Sequence, residues 1–129
     1  MASERALARW VTSKLKEGKA FYQRFEDKFT PGIPDLMFLD KSGQVHWVEL
    51  KCIPCLPVRP TTVVNVGMRM GQVEWLGSLD DAGGKGYTLV QVDADVFLFK
   101  GACTGIQKMD FARKAHIHGR AGVVKWLQS

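Results

Sequence analysis

The stretch GIPDLMFLDKSGQVHWVELK, residues 32–51, puts three charged side chains, Asp35, Glu49 and Lys51, where a pair of half-buried strands should carry none. Leu36-Met37-Phe38-Leu39 is an apolar run, Asp40-Lys41-Ser42-Gly43 has turn chemistry, and residues 45–51 are rich in β-branched and aromatic types. That order predicts a hairpin. Side chains alternate along a strand, so Val45, Trp47, Glu49 and Lys51 fall on one face and His46, Val48 and Leu50 on the other. With the turn centred near Ser42, Leu39 pairs with Val45 and Asp35 falls opposite Glu49, to within one residue of register.

Carboxylates facing each other across a sheet repel, and a half-buried pair is costly unless a cation lies between them. Two acids, joined by the Leu50 main-chain carbonyl and by waters, suit Mg²⁺ or Mn²⁺ far better than Zn²⁺. Lys51, one pleat beyond, is placed to orient a water or to stabilise charge developing on a phosphate. Glu49-Leu50-Lys51 alone reads more simply as a solvated surface pair. Gly32, Pro34-Asp35, two apolar runs and the turn between them make the pattern specific.

Around the hairpin, Ser3 is placed to cap a helix carrying Leu7, Trp10, Val11 and Leu15 at helical spacing, with Gly18 as its stop. Residues 20–29 are ambiguous between strand and short helix, and their first half favours strand. Pro54, Pro57 and Pro60 make residues 52–71 irregular, and a loop of that length in a small domain is functional or mobile. Gln72, Trp75, Leu76 and Leu79 repeat at i, i+3, i+4 and i+7, predicting a second helix ended by Gly83-Gly84. Residues 87–92 and 96–100 read as two strands turning at Asp93-Ala94-Asp95. Residues 109–116 favour helix in a weakly periodic, basic tail. The element order predicts an α/β or α+β domain, a mixed sheet flanked by helices.

With 129 residues the chain fits one domain, 1–129, in which 101–129 is a basic C-terminal extension. No apolar run approaches a membrane span, and Met1-Ala2-Ser3-Glu4-Arg5 leads straight into an amphipathic pattern, so a cytoplasmic location is expected. Eighteen Lys and Arg against thirteen Asp and Glu give a net charge of +5, which favours polyanionic partners without selecting one. Cys52, Cys55 and Cys103 suit a reducing compartment. Cys52-Ile53-Pro54-Cys55 lacks the second pair a zinc site needs, and small side chains at a strand end is its simpler meaning. Gly83-Gly84-Lys85-Gly86 lacks P-loop spacing and reads as a turn.

The 32–51 stretch resembles the core motif of the PD-(D/E)XK nuclease superfamily, and its G-x-P-D-L followed by V-E-L-K is most similar to the VRR-NUC type. The resemblance spans residues 3–100 and implies a restriction-endonuclease-like α/β fold. It adds Glu4, on the Leu7, Val11 and Leu15 face of the first helix, and Gln72, heading the second helix, to Asp35, Glu49 and Lys51 as catalytic residues. It also implies Mg²⁺ or Mn²⁺ held by Asp35, Glu49 and the Leu50 carbonyl, and hydrolysis that leaves 5′-phosphate and 3′-hydroxyl ends.

Its expected substrate is DNA, branched or structured (junction, flap or fork), cut endonucleolytically by a homodimer. Lys14, Lys16, Lys19, Arg24, Arg59 and Arg69 are candidates for phosphate contacts that fix register without reading sequence. The segment between Lys51 and Gln72 is longer and richer in proline than the short connection usual in the family. The rival readings are a DNA-binding or recombination accessory protein that has lost the chemistry, and an RNA-processing nuclease.

Overall fold

In a computed structural model, which describes residues 3–26 and 29–129, six strands form one sheet in the order β1-β2-β3-β4-β5-β6. Met1 and Ala2, and residues 27 and 28 of the ambiguous 20–29 segment, lie outside the described residues. The strands are β1 (Tyr22–Arg24), β2 (Leu36–Leu39), β3 (Val45–Ile53), β4 (Lys85–Val92), β5 (Asp95–Lys100) and β6 (Ile117–His118). The helices are α1 (Glu4–Glu17), α2 (Met70–Asp81), α3 (Phe111–Lys114) and α4 (Arg120–Leu127). Only β3 and β4 pair in parallel, with α2 between them in the chain, and every other neighbour is antiparallel. A mixed sheet flanked by four helices is the α/β architecture expected, consistent with a restriction-endonuclease-like fold. No helix among the described residues is long and apolar enough to cross a membrane.

The predicted first helix begins where its cap requires, with Ser3 Oγ accepting from the Ala6 amide at 3.0 Å. Its Leu7, Val11 and Leu15 are buried, with α4's Val123 and Leu127, against Leu36, Phe38, Val48, Leu50, Leu89 and Leu98 of the sheet. The opposite face carries a second core in which Val90, Val92, Phe97 and Phe99 meet Val64, Val66, Cys103 and Phe111. α2 covers the remainder of that face, so closely that a side chain at Gly86 would meet Leu76 Cδ2 at 2.8 Å.

Two expectations need correction. α2 starts at Met70, ahead of Gln72, which therefore sits inside its first turn. Residues 109–116 are only partly helical, a 3₁₀ turn at Lys108–Asp110 followed by the one-turn α3, and the chain then adds the edge strand β6, paired as Phe97↔His118 and Leu98↔Ile117. The segment outside the family resemblance is thus built into the sheet and into both cores. The 54–69 loop is irregular as expected, but it is pinned by a bridge between Val63 and Gln107.

The hairpin turn is held by one carboxylate. Asp40 accepts from the Ser42 hydroxyl at 2.5 Å, from the Ser42 and Gln44 amides, and bonds His46 Nε2 at 2.8 Å. The Ser42 hydroxyl, then His46 and the two amides, hold the Asp40 carboxyl well below the usual carboxylate range. A carboxylate depressed in the folded state contributes stability that is complete above its unfolded value, about pH 4, and is lost as the pH falls further toward the folded one. Asp40→Asn is therefore expected to lower stability at pH 7 and to flatten its decline below about pH 4, measured by urea unfolding at a series of pH values.

Candidate active site

The β2–β3 ladder runs Leu39↔Val45 to Leu36↔Val48, so one further step brings Asp35 opposite Glu49. The placement is fixed by hydrogen bonds on both sides, one to its backbone and one to its side chain: the Asp35 carbonyl accepts from the Phe25 amide at 2.8 Å, and Asp35 Oδ2 accepts from the Leu50 amide at 2.8 Å. The amide and carbonyl of one strand residue project to the same side, so the Leu50 carbonyl faces the gap that Asp35 occupies beyond the end of β2. Glu49 is 1% and Lys51 6% exposed, on the face that α2 and the 54–69 loop cover. Carboxylates and ammonium groups are rarely buried to this degree outside paired or functional settings.

Lys51 Nζ donates to the Gly67 carbonyl at 3.0 Å. Gln72 uses its Oε1 to accept from the Arg69 amide at 2.9 Å, which closes the first turn of α2. A cleft of about 480 Å³ is lined by Glu4, Asp35, Glu49, Lys51, Cys52, Asn65, Arg69 and Gln72 among others. All five residues proposed as catalytic therefore border one space. Glu4 enters from the opposite face of the sheet, where its charge acts on the Cys52 thiol. Glu4 and Asp35 also border a second hollow, of about 390 Å³, with Arg5, Arg24, Phe25, Glu26 and Leu50. The two hollows thus share these two carboxylates in their walls.

Of the six basic residues, Arg24 and Arg69 lie at this site, with Arg24 ion-paired to Glu26 at 3.0 Å. The other four do not. Lys14 and Lys16 occupy the last turn of α1, about 15 Å or more along the helix from Glu4. Lys19 borders the hairpin turn beside Asp40 and Lys41, at the far end of β2, and Arg59 is exposed on the loop and is not among the residues that line the cleft. Asn65 and Gly67 in the cleft, and Arg5 and Phe25 in the second hollow, are lining residues that periodicity could not reveal. Asn65 and Gly67 carry the one faint signal, an Asn-x-Gly turn in an otherwise apolar segment.

Among the described residues, no three or more His, Cys, Asp or Glu side chains are grouped so as to hold a metal ion. The donors at hand are the Asp35 and Glu49 carboxylates and the Leu50 carbonyl, while Glu4 lines the same cleft without joining them in one group. Mg²⁺ is commonly held by one or two carboxylates and keeps several waters, whereas a structural zinc needs four protein ligands. The set fits the former and not the latter.

Cys103 belongs to the second core, and burial pushes its thiol up to about 12. Burial, followed by the Glu4 charge, also raises the Cys52 thiol, while Cys55 is exposed. An aromatic disulfide reagent at pH 8 is expected to label Cys55 first, Cys52 more slowly and Cys103 only on unfolding, as followed by mass spectrometry. No protein-family model matches the chain, and no curated protein matches it.

Proposed function

We propose that this chain is a Mg²⁺- or Mn²⁺-dependent DNA endonuclease of the VRR-NUC type within the PD-(D/E)XK superfamily. The observation that carries this reading is the Asp35 carboxylate on the Leu50 amide at 2.8 Å, with Glu49 opposite it in register and Lys51 one pleat beyond. Asp35, Glu49 and the Leu50 carbonyl would hold the cation, with Glu4 assisting. When bound, the cation supplies Lewis-acid polarisation of the phosphate and an acidified water. The chain supplies the rest. Lys51 presents its ammonium to the charge that builds on the phosphoryl oxygens. Gln72, fixed by its bond to the Arg69 amide, orients the nucleophilic water or the phosphate from the opposite wall. Arg24 and Arg69 hold the backbone on either side of the carboxylates, as phosphate contacts that position without reading sequence.

The substrate in this reading is branched or structured DNA in the cytoplasm, and a homodimer provides one site for each strand. The test is a labelled panel of junction, flap, fork, duplex and single-stranded DNA, and RNA, incubated with Mg²⁺, Mn²⁺ or Ca²⁺. Cleavage of a branched DNA in Mg²⁺ or Mn²⁺, with binding but little turnover in Ca²⁺, is expected, because looser calcium coordination activates water poorly. Cleavage of RNA alone would move the substrate class. Binding without cleavage in any metal would leave an accessory protein.

A further inference from the structure

Lys51 is not held by its own sheet alone. Its ammonium donates to the carbonyl of Gly67, a residue at φ +85° whose amide in turn donates to Asn65 Oδ1 at 2.9 Å. This Asx turn aims the Gly67 carbonyl at Lys51. On either side of Asn65, Val64 and Val66 are buried at 3% and 4% exposure in the second core, beside Phe111 and Cys103. The Val64 amide also donates to the Ile106 carbonyl at 2.8 Å, and the Lys108 and Met109 amides donate to the Thr62 and Pro60 carbonyls, both at 2.9 Å. The same stretch of chain runs on through Arg69 to Gln72 in the first turn of α2.

We propose that residues 64–69 form a fixed strap that sets the position of the Lys51 ammonium in the cleft, with Asn65 as its positioning residue. The proposal rests on the nuclease reading for the role of Lys51, but the anchoring itself does not. A lysine ammonium on a four-carbon stem samples many rotamers when its acceptor is loose. The Gly67 carbonyl confines it, and Asn65 confines that carbonyl. Asn65 borders the cleft yet is itself exposed, so removing its side chain takes away the turn's bond without opening a cavity in the core. The tail enters the site by this route: 103–111 holds Val64 and Val66, these hold the turn, and the turn holds Lys51.

The test compares wild type, Asn65→Ala and Asn65→Asp, the last retaining an oxygen that accepts from the Gly67 amide. Activity is read as kcat and KM on whichever DNA the wild type cuts. Lys51 is read by the proton–nitrogen NMR signal of its side-chain ammonium, assigned with Lys51→Arg, which is visible when a buried hydrogen-bonded ammonium exchanges slowly. Asn65→Ala is expected to lower kcat about 10- to 100-fold with KM within about twofold, to broaden or abolish the Lys51 signal, and to leave the melting temperature within about 2 °C. Asn65→Asp is expected to keep the signal and most of kcat. An unchanged signal in Asn65→Ala, or a loss of activity that tracks a loss of melting temperature, would overturn the strap. If the wild type cuts no nucleic acid, the nuclease reading falls, and the NMR comparison still decides whether Asn65 anchors Lys51.

Discussion

On the nuclease reading, Lys51→Ala is expected to reduce metal-dependent cleavage by about 10²- to 10³-fold or more while DNA binding changes by less than about threefold. The asymmetry follows from where the ammonium sits. At 6% exposure and bonded to Gly67, it lies within the cleft, away from the surface that a DNA backbone first meets, so its loss is felt where charge develops in the reaction. Arg69→Ala and Arg24→Ala should behave oppositely, weakening binding and its salt dependence with smaller effects on the rate of bound substrate. Single-turnover cleavage and an electrophoretic binding assay in Ca²⁺ separate the two. Loss of binding and cleavage together in Lys51→Ala would make Lys51 a substrate anchor and take its chemical role away.

Gly32→Ala is expected to cost about 3 kcal/mol or more of folding stability, combining backbone strain with overpacking. Gly32 has φ +85°, and a Cβ there would meet the Gly71 carbonyl oxygen at 2.1 Å and its carbon at 2.4 Å. Both obstacles are backbone, in the first turn of α2, so the clash can be relieved only by moving backbone, either the Gly32 loop or the helix that carries Gln72. The Gly32 loop is in this way the spacer between the carboxylates of the hairpin and the opposite wall of the cleft. Gly43→Ala is the control, because it has the same φ of +85° with nothing within 4 Å of the added carbon, and its cost should stay at about 1–2 kcal/mol. Urea midpoints at constant m-value measure both. Equal costs for the two would show that the approach to Gly71 is looser than these distances.

The hairpin was legible because two independent local rules agree on it. Period-two burial fixes which side chains face inward, and the Asp40-to-Gly43 turn fixes the register, so Leu39↔Val45 and the juxtaposition of Asp35 with Glu49 follow from neighbouring residues alone. Helix α1 was legible for the same reason, through Ser3 and the Leu7, Val11, Leu15 stripe. Strand β6 was hidden: two residues carry no period, and Ile117 and His118 become a strand only because β5 offers a free edge. The start of α2 at Met70 was equally hidden, since Arg69 is no ordinary cap and the bond that closes the turn comes from Gln72 reaching back. For the basic residues, charge is visible in a sequence but position is not. Lys14 and Arg24 look alike until the fold puts one at the far end of α1 and the other beside Asp35. The strap that holds Lys51 depends on contacts between residues 62–66 and 103–111, a separation over which no local pattern carries information.

The docking of the last helix onto the first has a consequence for how the molecule comes into being. Val123 and Leu127 share a core with Leu7, Val11 and Leu15, Gln128 Nε2 donates to the Lys14 carbonyl at 3.0 Å, and the Lys41 amide donates to the Ser129 carbonyl at 3.1 Å. Contacts so distant along the chain must close large loops before they contribute any stability, which slows folding and makes it global. Until residues 120–129 join it, the face of α1 and the sheet that they cover stays open, so this core closes only when two helices far apart along the chain have met. On the nuclease reading, the sheet that carries the carboxylates is fully covered only once α4 has docked.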